Sequence, residues 1–339
     1  VFRHGVKVTN VTVDVSGGKK VATHLDWLEN GASAGVDLGP AELVFVTNGS
    51  MVENSRWGDH HTPAPIDTVI KEGSVWQLWR NIAAQDAAFG HPDVFCGDTT
   101  KSRWLSATVT TRDARIPELV KRVTGRDPFS GKIITGGPVT IADSSWLMSW
   151  VVSRQPHFKG QPEGQMVAWL YGLFSDVPGD YVKKPMQDCT GGEITREWLF
   201  HMGVPVDQID DMAATGATTH PCMMPFITAQ FMPRAPADRP NVVPHGSVNL
   251  AFLGQFAETP RDTVFTTEYS VRTAMEAVYT LCGVRRAVPE VSDGIFDVRM
   301  LLQAAAELRD GEKVPASGLI RHLTHGTEID DLLERYGLV

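Results

Sequence analysis

The run from Asn249 to Tyr279, NLAFLGQFAETPRDTVFTTEYSVRTAMEAVY, constrains this chain more than any other stretch. Asn249 to Leu253 is short, almost wholly apolar and stopped by Gly254, the pattern of a strand buried on both faces of a parallel sheet. A loop with Pro260, Arg261 and Asp262 follows. From Thr267 the period becomes helical: Val271, Ala274, Met275 and Val278 recur as one buried face, and Gly283 is placed to end the helix. A helix start beside a strand end offers free N–H groups and a positive dipole end, which suits a phosphate or a polarised cofactor ring.

A second apolar run, Glu42 to Thr47, ends in Asn48-Gly49-Ser50. Small residues there let a ligand approach the backbone, although a plain turn explains them equally well. Taken together, the two runs have the layout of the paired strand ends that line a dinucleotide crevice. Upstream, Val6 to Val15 and Lys20 to His24 read as a hairpin about Gly17-Gly18. Gly31 to Gly35 matches G-x-S-x-G, but Gly39-Pro40 follows too soon for a helix, so a flexible turn is expected rather than a nucleophile elbow.

Between these runs the pattern is mixed. Residues 51–100 are loop-rich ahead of a helical stretch near Trp76 to Phe89; Trp104 to Thr111 and Gln165 to Phe174 read as strands, Ile116 to Val123 as a helix, and Trp146 to Val152 as either. Thr190 to Glu193 is a capping box opening a helix with Ile194, Trp198 and Leu199 inside. Pro221 to Arg239, with four prolines and three methionines, reads as a semi-rigid apolar connection. Arg154, Gln155 and His157 follow the apolar Trp146 to Val152 run. A cation, an amide and an imidazole there could hold the carboxylate of a long acyl chain, or could satisfy local loop carbonyls, which is the favoured reading of the residues alone. The final segment carries Leu319, Ile320, Leu323, Ile329, Leu332, Leu333 and Tyr336 at helical spacing, for packing or for contact with a membrane surface.

Net charge is −9, with no long basic block, which argues against a nucleic-acid partner. No run approaches the roughly 20 apolar residues of a membrane span. Cys96, Cys189, Cys222 and Cys282 are scattered without C-x-x-C, so buried reduced thiols are expected, and His60-His61 lacks metal-ligand spacing.

The runs FVTNGSMVENSRWGD, DPFSGKIITGG, SSWLMSWVVSRQPHFKGQP, DYVKKPMQDCTGGEIT and NLAFLGQFAETPRDTVFTTEYSVRTAMEAVY resemble the oleate hydratases, or myosin-cross-reactive antigens, over nearly the whole chain. The resemblance implies an FAD-dependent hydro-lyase that adds water to the cis double bond of an unsaturated fatty acid, as a cytoplasmic homodimer with possible peripheral membrane contact through its C-terminal helix. It implies an α/β fold: an incomplete Rossmann-like FAD-binding domain from 1–50 and 246–285, an inserted substrate region of mixed sheet and helices at 51–245, and a C-terminal helical region at 286–339. FAD contacts carry over to Val46, Thr47, Asn48, Gly49, Gly254, Gln255, Asp262, Thr263, Val264, Thr267 and Ser270. The family's carboxylate-binding T-x-N-x-x-x-H run reads Val151 to His157 here, so Ser153, Arg154, Gln155 and His157 are the candidates and His157 alone is unchanged. Members of the family begin with a glycine-rich turn that holds the FAD pyrophosphate, and no G-x-G-x-x-G is present here, so the resemblance implies that the chain is the C-terminal portion of a longer protein, with the catalytic acid and base upstream of residue 1 and weak FAD binding by itself.

Overall fold

The computed structural model describes residues 2–259, 266–290, 294, 297–309 and 313–339. Two compact units, Val1–Arg286 and Ala287–Val339, divide the chain. The first opens with three antiparallel strands, β1 (Val6–Asp14), β2 (Val21–Glu29) and β3 (Ala32–Asp37), in the order β1-β2-β3. The hairpin about Gly17-Gly18 forms as expected, with both glycines at positive φ. The G-x-S-x-G stretch is corrected from a turn to strand. Asn30 and Gly31, at φ 53° and 85°, make the turn, and Ser33 sits on an exposed edge strand where no elbow can form.

Next come β4 (Val44–Thr47), the two-residue β5 (Arg56–Trp57), α1 (Val75–Ala83), the short α2 (Asp93–Cys96) and α3 (Thr99–Ser102), β6 (Trp104–Thr111) and α4 (Arg115–Thr124). The elements β7 (Val139–Thr140), β8 (Met148–Val151), β9 (Met166–Gly172), α5 (Gly191–His201), α6 (Val206–Gly216) and β10 (Ala217–Met224) follow, then β11 (Leu250–Leu253) and α7 (Thr267–Leu281). An antiparallel sheet ordered β5-β10-β6-β9-β8-β7 buries Leu105, Val109, Trp150 and Leu170 together with Trp198 and Leu199 of α5. The pleat explains this: Leu105, Ala107 and Val109 of β6 and Met166, Ala168 and Leu170 of β9 are alternate residues that share one buried face with α5.

Trp146 to Val152 thus resolves as strand β8. The apolar connection expected from Pro221 is corrected, since β10 runs through Pro221 to Met224. Proline is tolerated because its carbonyl accepts from Gly58 N at 2.9 Å on the β5 side, where its missing N–H also points and the neighbouring strand is only two residues long.

The capping box at Thr190 and Glu193 is present in both directions and starts α5. Gly191 packs so close to β10 that a Cβ would lie 2.0 Å from the Thr219 carbonyl oxygen. Gly191→Ala is therefore expected to destabilise the sheet–helix contact by about 3 kcal/mol or more, read as a lowered midpoint in chemical denaturation.

A separate two-stranded parallel sheet joins β4 and β11, the pair the sequence places together. Leu250, Ala251 and Phe252 are fully buried, as expected, but β4 is covered on one face only, with Phe45 and Thr47 exposed. The face of α7 is also corrected: Tyr269, Thr273 and Ala277 are buried, while Val271 and Val278 are exposed. Polar groups win that face because the strand-end loop needs partners. Gly254 N donates to Thr273 Oγ1 at 3.0 Å and Tyr269 donates to Ala257 O at 2.5 Å.

The second unit holds α8 (Val298–Leu308), α9 (Ser317–Thr324) and α10 (Glu328–Arg335). Thr327 caps α10, whose first turn is acidic, and Arg321 pairs with Glu334. Leu319, Leu323 and Ile329 stand exposed. Among the described residues no helix is long and apolar enough to cross a membrane.

Candidate functional site

Parallel register sets Thr47 opposite Leu253, so Asn48-Gly49 and Gly254-Gln255 leave the sheet at one edge. Gly49 and Gly254 turn there at φ 63° and 80°. Between them lies a cavity of about 240 Å³ lined by Thr47, Asn48, Gly49, Gly254, Gln255 and Ser270, among others. Six of the expected cofactor contacts are thereby brought together. Val46 is buried one residue behind them, Thr267 is exposed on the first turn of α7, and Asp262, Thr263 and Val264 lie outside the described residues.

Two features distinguish this cavity from a packing defect. Asn48 is 1% exposed, and neither its Oδ1 nor its Nδ2 has a hydrogen-bond partner. An unmatched buried amide costs about 1–3 kcal/mol, so the side chain presents a donor and an acceptor ready for a polar ligand edge. A Cβ on Gly49 would sit 2.7 Å from the Phe256 ring and 2.9 Å from Trp76; glycine keeps the turn seated on an aromatic wall. That wall is continuous, with Phe256 at 5.0 Å from Trp76 and 5.4 Å from Phe95 between ring centroids.

The expected carboxylate group is not gathered in the same way. Gln155 is 2% exposed and committed to the loop: its Nε2 donates to Ser153 O and Val167 O, and its Oε1 accepts from Val167 N and Gln161 Nε2. A nearby cavity of about 500 Å³ is lined by Gln155, Gln161, Glu163 and Phe129, but not by Ser153, Arg154 or His157. Ser153 is half-buried; Arg154 and His157 are exposed, the imidazole edge-on to Phe158. Val151 pairs with Trp169 across β8 and β9, beside a cluster of Trp104, Trp169 and Tyr171 with centroids 4.7 to 6.3 Å apart.

Sequence reading missed the buried carboxylate of Glu197. It is fully buried and accepts backbone N–H groups from Asp180 (2.6 Å), Tyr181 (3.0 Å) and Val182 (2.8 Å). His201 Nε2 lies 3.4 Å from it and 3.3 Å from Asp180. Among the described residues these three are the one histidine–carboxylate grouping of ligand size, yet the Glu197 oxygens are already filled by N–H donors, so the arrangement is structural. His60 is structural as well, its Nδ1 accepting from Thr219 N at 3.3 Å. Cys96, Cys189 and Cys222 are buried as expected, and burial pushes the Cys96 and Cys189 thiols up to about 12; Cys282 is corrected to exposed.

A mixed α/β architecture with one parallel strand pair, two antiparallel sheets and a cavity at the parallel edge defines the class of protein. The chain belongs to the MCRA family, whose model matches residues 1–279. It is 47% identical over 345 residues to the oleate hydratase of Streptococcus pyogenes serotype M49 (strain NZ131), covering 98% of this chain and 58% of that protein. It is also 32% identical over 266 residues to the linoleate hydratase of Lactiplantibacillus plantarum, covering 76% of this chain and 46% of that protein. The chain thus spans about half the length of these curated relatives.

Proposed function

We propose that this chain supplies part of an FAD-dependent hydratase that adds water to the cis double bond of oleate or a related unsaturated fatty acid. The observation that carries the reading is the cavity between β4 and β11, where Asn48 offers an unmatched amide and Gly49 and Gly254 clear the backbone for a ligand. Those residues fit FAD: Asn48 and Gln255 would bond polar atoms of the cofactor, and Gly49, Gly254 and Ser270 would let it close on the strand ends. In this reading 1–50 and 246–285 form an incomplete Rossmann-like FAD domain, and the six-stranded sheet belongs to the substrate region.

FAD, when bound, would contribute a fixed polar surface to a reaction with no net redox change. The chain's own residues bind and orient. Trp104, Trp169 and Tyr171 give the open sheet face an apolar strip suited to an acyl chain, since covering it releases water. Of the carboxylate candidates, Ser153, Arg154 and His157 remain available while Gln155 is held by the loop. Addition across an alkene needs a proton donor and a water held on opposite faces. No residue described here is assigned either role. A homodimer, cytoplasmic residence and surface contact of Leu319, Leu323 and Ile329 with a membrane belong to the same proposal.

The test is direct. Produced together with its adjoining coding sequence, the protein is expected to retain FAD and convert oleate to a product heavier by one water; the 339-residue chain alone is expected to give no product. A product oxidised by two electrons, with bleaching of the flavin, would instead establish a flavin oxidoreductase. Hydroxy fatty acid from the chain alone would overturn the placement of the acid and base outside it.

A further inference from the structure

We infer that Arg239 is a positioning residue for the cofactor pocket: a buried cation that clamps Phe256 against Gly49 and places a positive potential behind the pocket wall. The inference rests on the FAD reading above for the potential, and on geometry alone for the clamp. Arg239 is 1% exposed, and its guanidinium carbon lies 5.8 Å from the Phe95 ring centroid and 6.0 Å from that of Phe256. Its Nη2 donates to Gln230 O at 2.9 Å, while Nε and Nη1 have no hydrogen-bond partner. The Gln230 amide beside it is fully buried with both polar atoms equally unmatched. Among the described residues no carboxylate lies within ion-pair distance of Arg239; burial and Arg234 oppose its charge, while the Tyr269 hydroxyl and the Glu258 carboxylate favour it from nearby.

A buried cation without a direct carboxylate partner is costly, and a neutral side chain of similar length would fill the same space without that cost. What the guanidinium adds is attraction to two aromatic faces and a field in a region that excludes water. Both act on one loop. Arg239 leads into Pro240, whose carbonyl accepts from Glu258 N at 2.7 Å, and Val242 N donates to Glu258 O, so this segment runs alongside the Phe256–Glu258 loop. Tyr269, whose hydroxyl also interacts with Arg239, holds the same loop through Ala257 O. Phe256 is therefore fixed from behind by Arg239 and presses on Gly49 in front, at the cavity. A flavin that takes up two electrons and one proton carries one negative charge on its ring, and a cation one aromatic ring away favours that form.

Three variants of the full protein separate the effects: R239M removes the charge and keeps the bulk, R239K keeps the charge, and F256L breaks the clamp with the charge in place. Fluorescence titration with FAD is expected to show R239M binding about tenfold more weakly. Titration with dithionite against a reference dye is expected to give R239M a more negative flavin midpoint potential, while R239K and F256L stay near the parent value. Amide hydrogen exchange without FAD is expected to show faster exchange at Gly254 to Phe256 in R239M and F256L than in the parent. Equal potentials in R239M and the parent would overturn the electrostatic role, and unchanged exchange would overturn the clamp. If the parent binds no FAD, the flavin reading of the pocket fails while the exchange comparison still decides the clamp. Should R239M not fold, R239K decides: a parent-like potential and exchange pattern support the inference, and loss of both overturns it.

Discussion

Glu197→Ala is expected to lower the thermal midpoint of this protein by about 10 °C, a loss of about 3–5 kcal/mol in a domain of this size. The carboxylate gathers the N–H groups of Asp180, Tyr181 and Val182 beneath α5, and its removal leaves all of them unmatched in a half-buried loop. Gly179 admits this loop, because a Cβ there would lie 2.8 Å from Glu197 Oε2. Glu197→Gln should be nearly as damaging, since the amide that replaces one oxygen would face N–H donors with N–H of its own. Burial pushes the Glu197 carboxyl up, but His201 and the backbone N–H groups outweigh it and leave it below the ordinary 4.5. Asp180 is held below 3.8, where bonds from Ser145 and the nearby His201 outweigh the upward push of burial. Both folded-state values are depressed, so their stabilisation is present above the unfolded values and is lost as pH falls through the folded ones. Thermal unfolding followed between about pH 7 and pH 3 should show that acid-side decline in the parent and a shallower one in Glu197→Ala. Parallel pH profiles would remove Glu197 as its source.

Gly49→Ala is expected to abolish FAD retention and to cost about 2–5 kcal/mol of stability. Its φ of 63° disfavours any side chain, and the added methyl meets Phe256 and Trp76, two rings packed edge to face in a buried cluster that cannot move aside cheaply. Gly254→Ala makes a graded comparison: φ is again positive, but the nearest atom is Thr47 Cγ2 at 3.2 Å. It should weaken FAD binding while keeping the fold, as read by flavin fluorescence and circular dichroism together. Full FAD retention by Gly49→Ala would place the cofactor elsewhere.

What the sequence discloses here is local. The β4 and β11 runs, their glycine-turned ends and the Thr190 capping box depend on neighbours in the chain, and each is where its residues place it. Readings that depend on partners far away go astray. The apolar spacing of Val271 and Val278 gives the wrong face of α7 because Thr273 and Tyr269 are recruited by a loop whose N–H and C=O groups need them. Pro221 disguises β10, since only the shortness of β5 makes proline acceptable there. Gln155 carries the chemistry of a ligand group but spends every bond on Val167, Ser153 and Gln161, and nothing in its neighbours foretells that. The pairing of Glu197 with three N–H groups is equally silent, because backbone donors have no letter in a sequence.

Asn249 shows what such separation means for the order of events in time. Its side chain accepts from Ala22 N at 2.8 Å and donates to Ala22 O and Glu42 O, stitching the first hairpin and β4 to β11 across more than two hundred residues. The strands of the six-stranded sheet lie between those points and pair with one another, so that sheet can consolidate while β4 still lacks its partner. During synthesis the hairpin can pair and take up α1 through Asn81 and Gln85, but β4 lacks its parallel partner until β11 arrives. The cavity, lined from both strand ends, cannot form before β11 is made, and a ligand that binds there would act on maturation of the chain as well as on its chemistry.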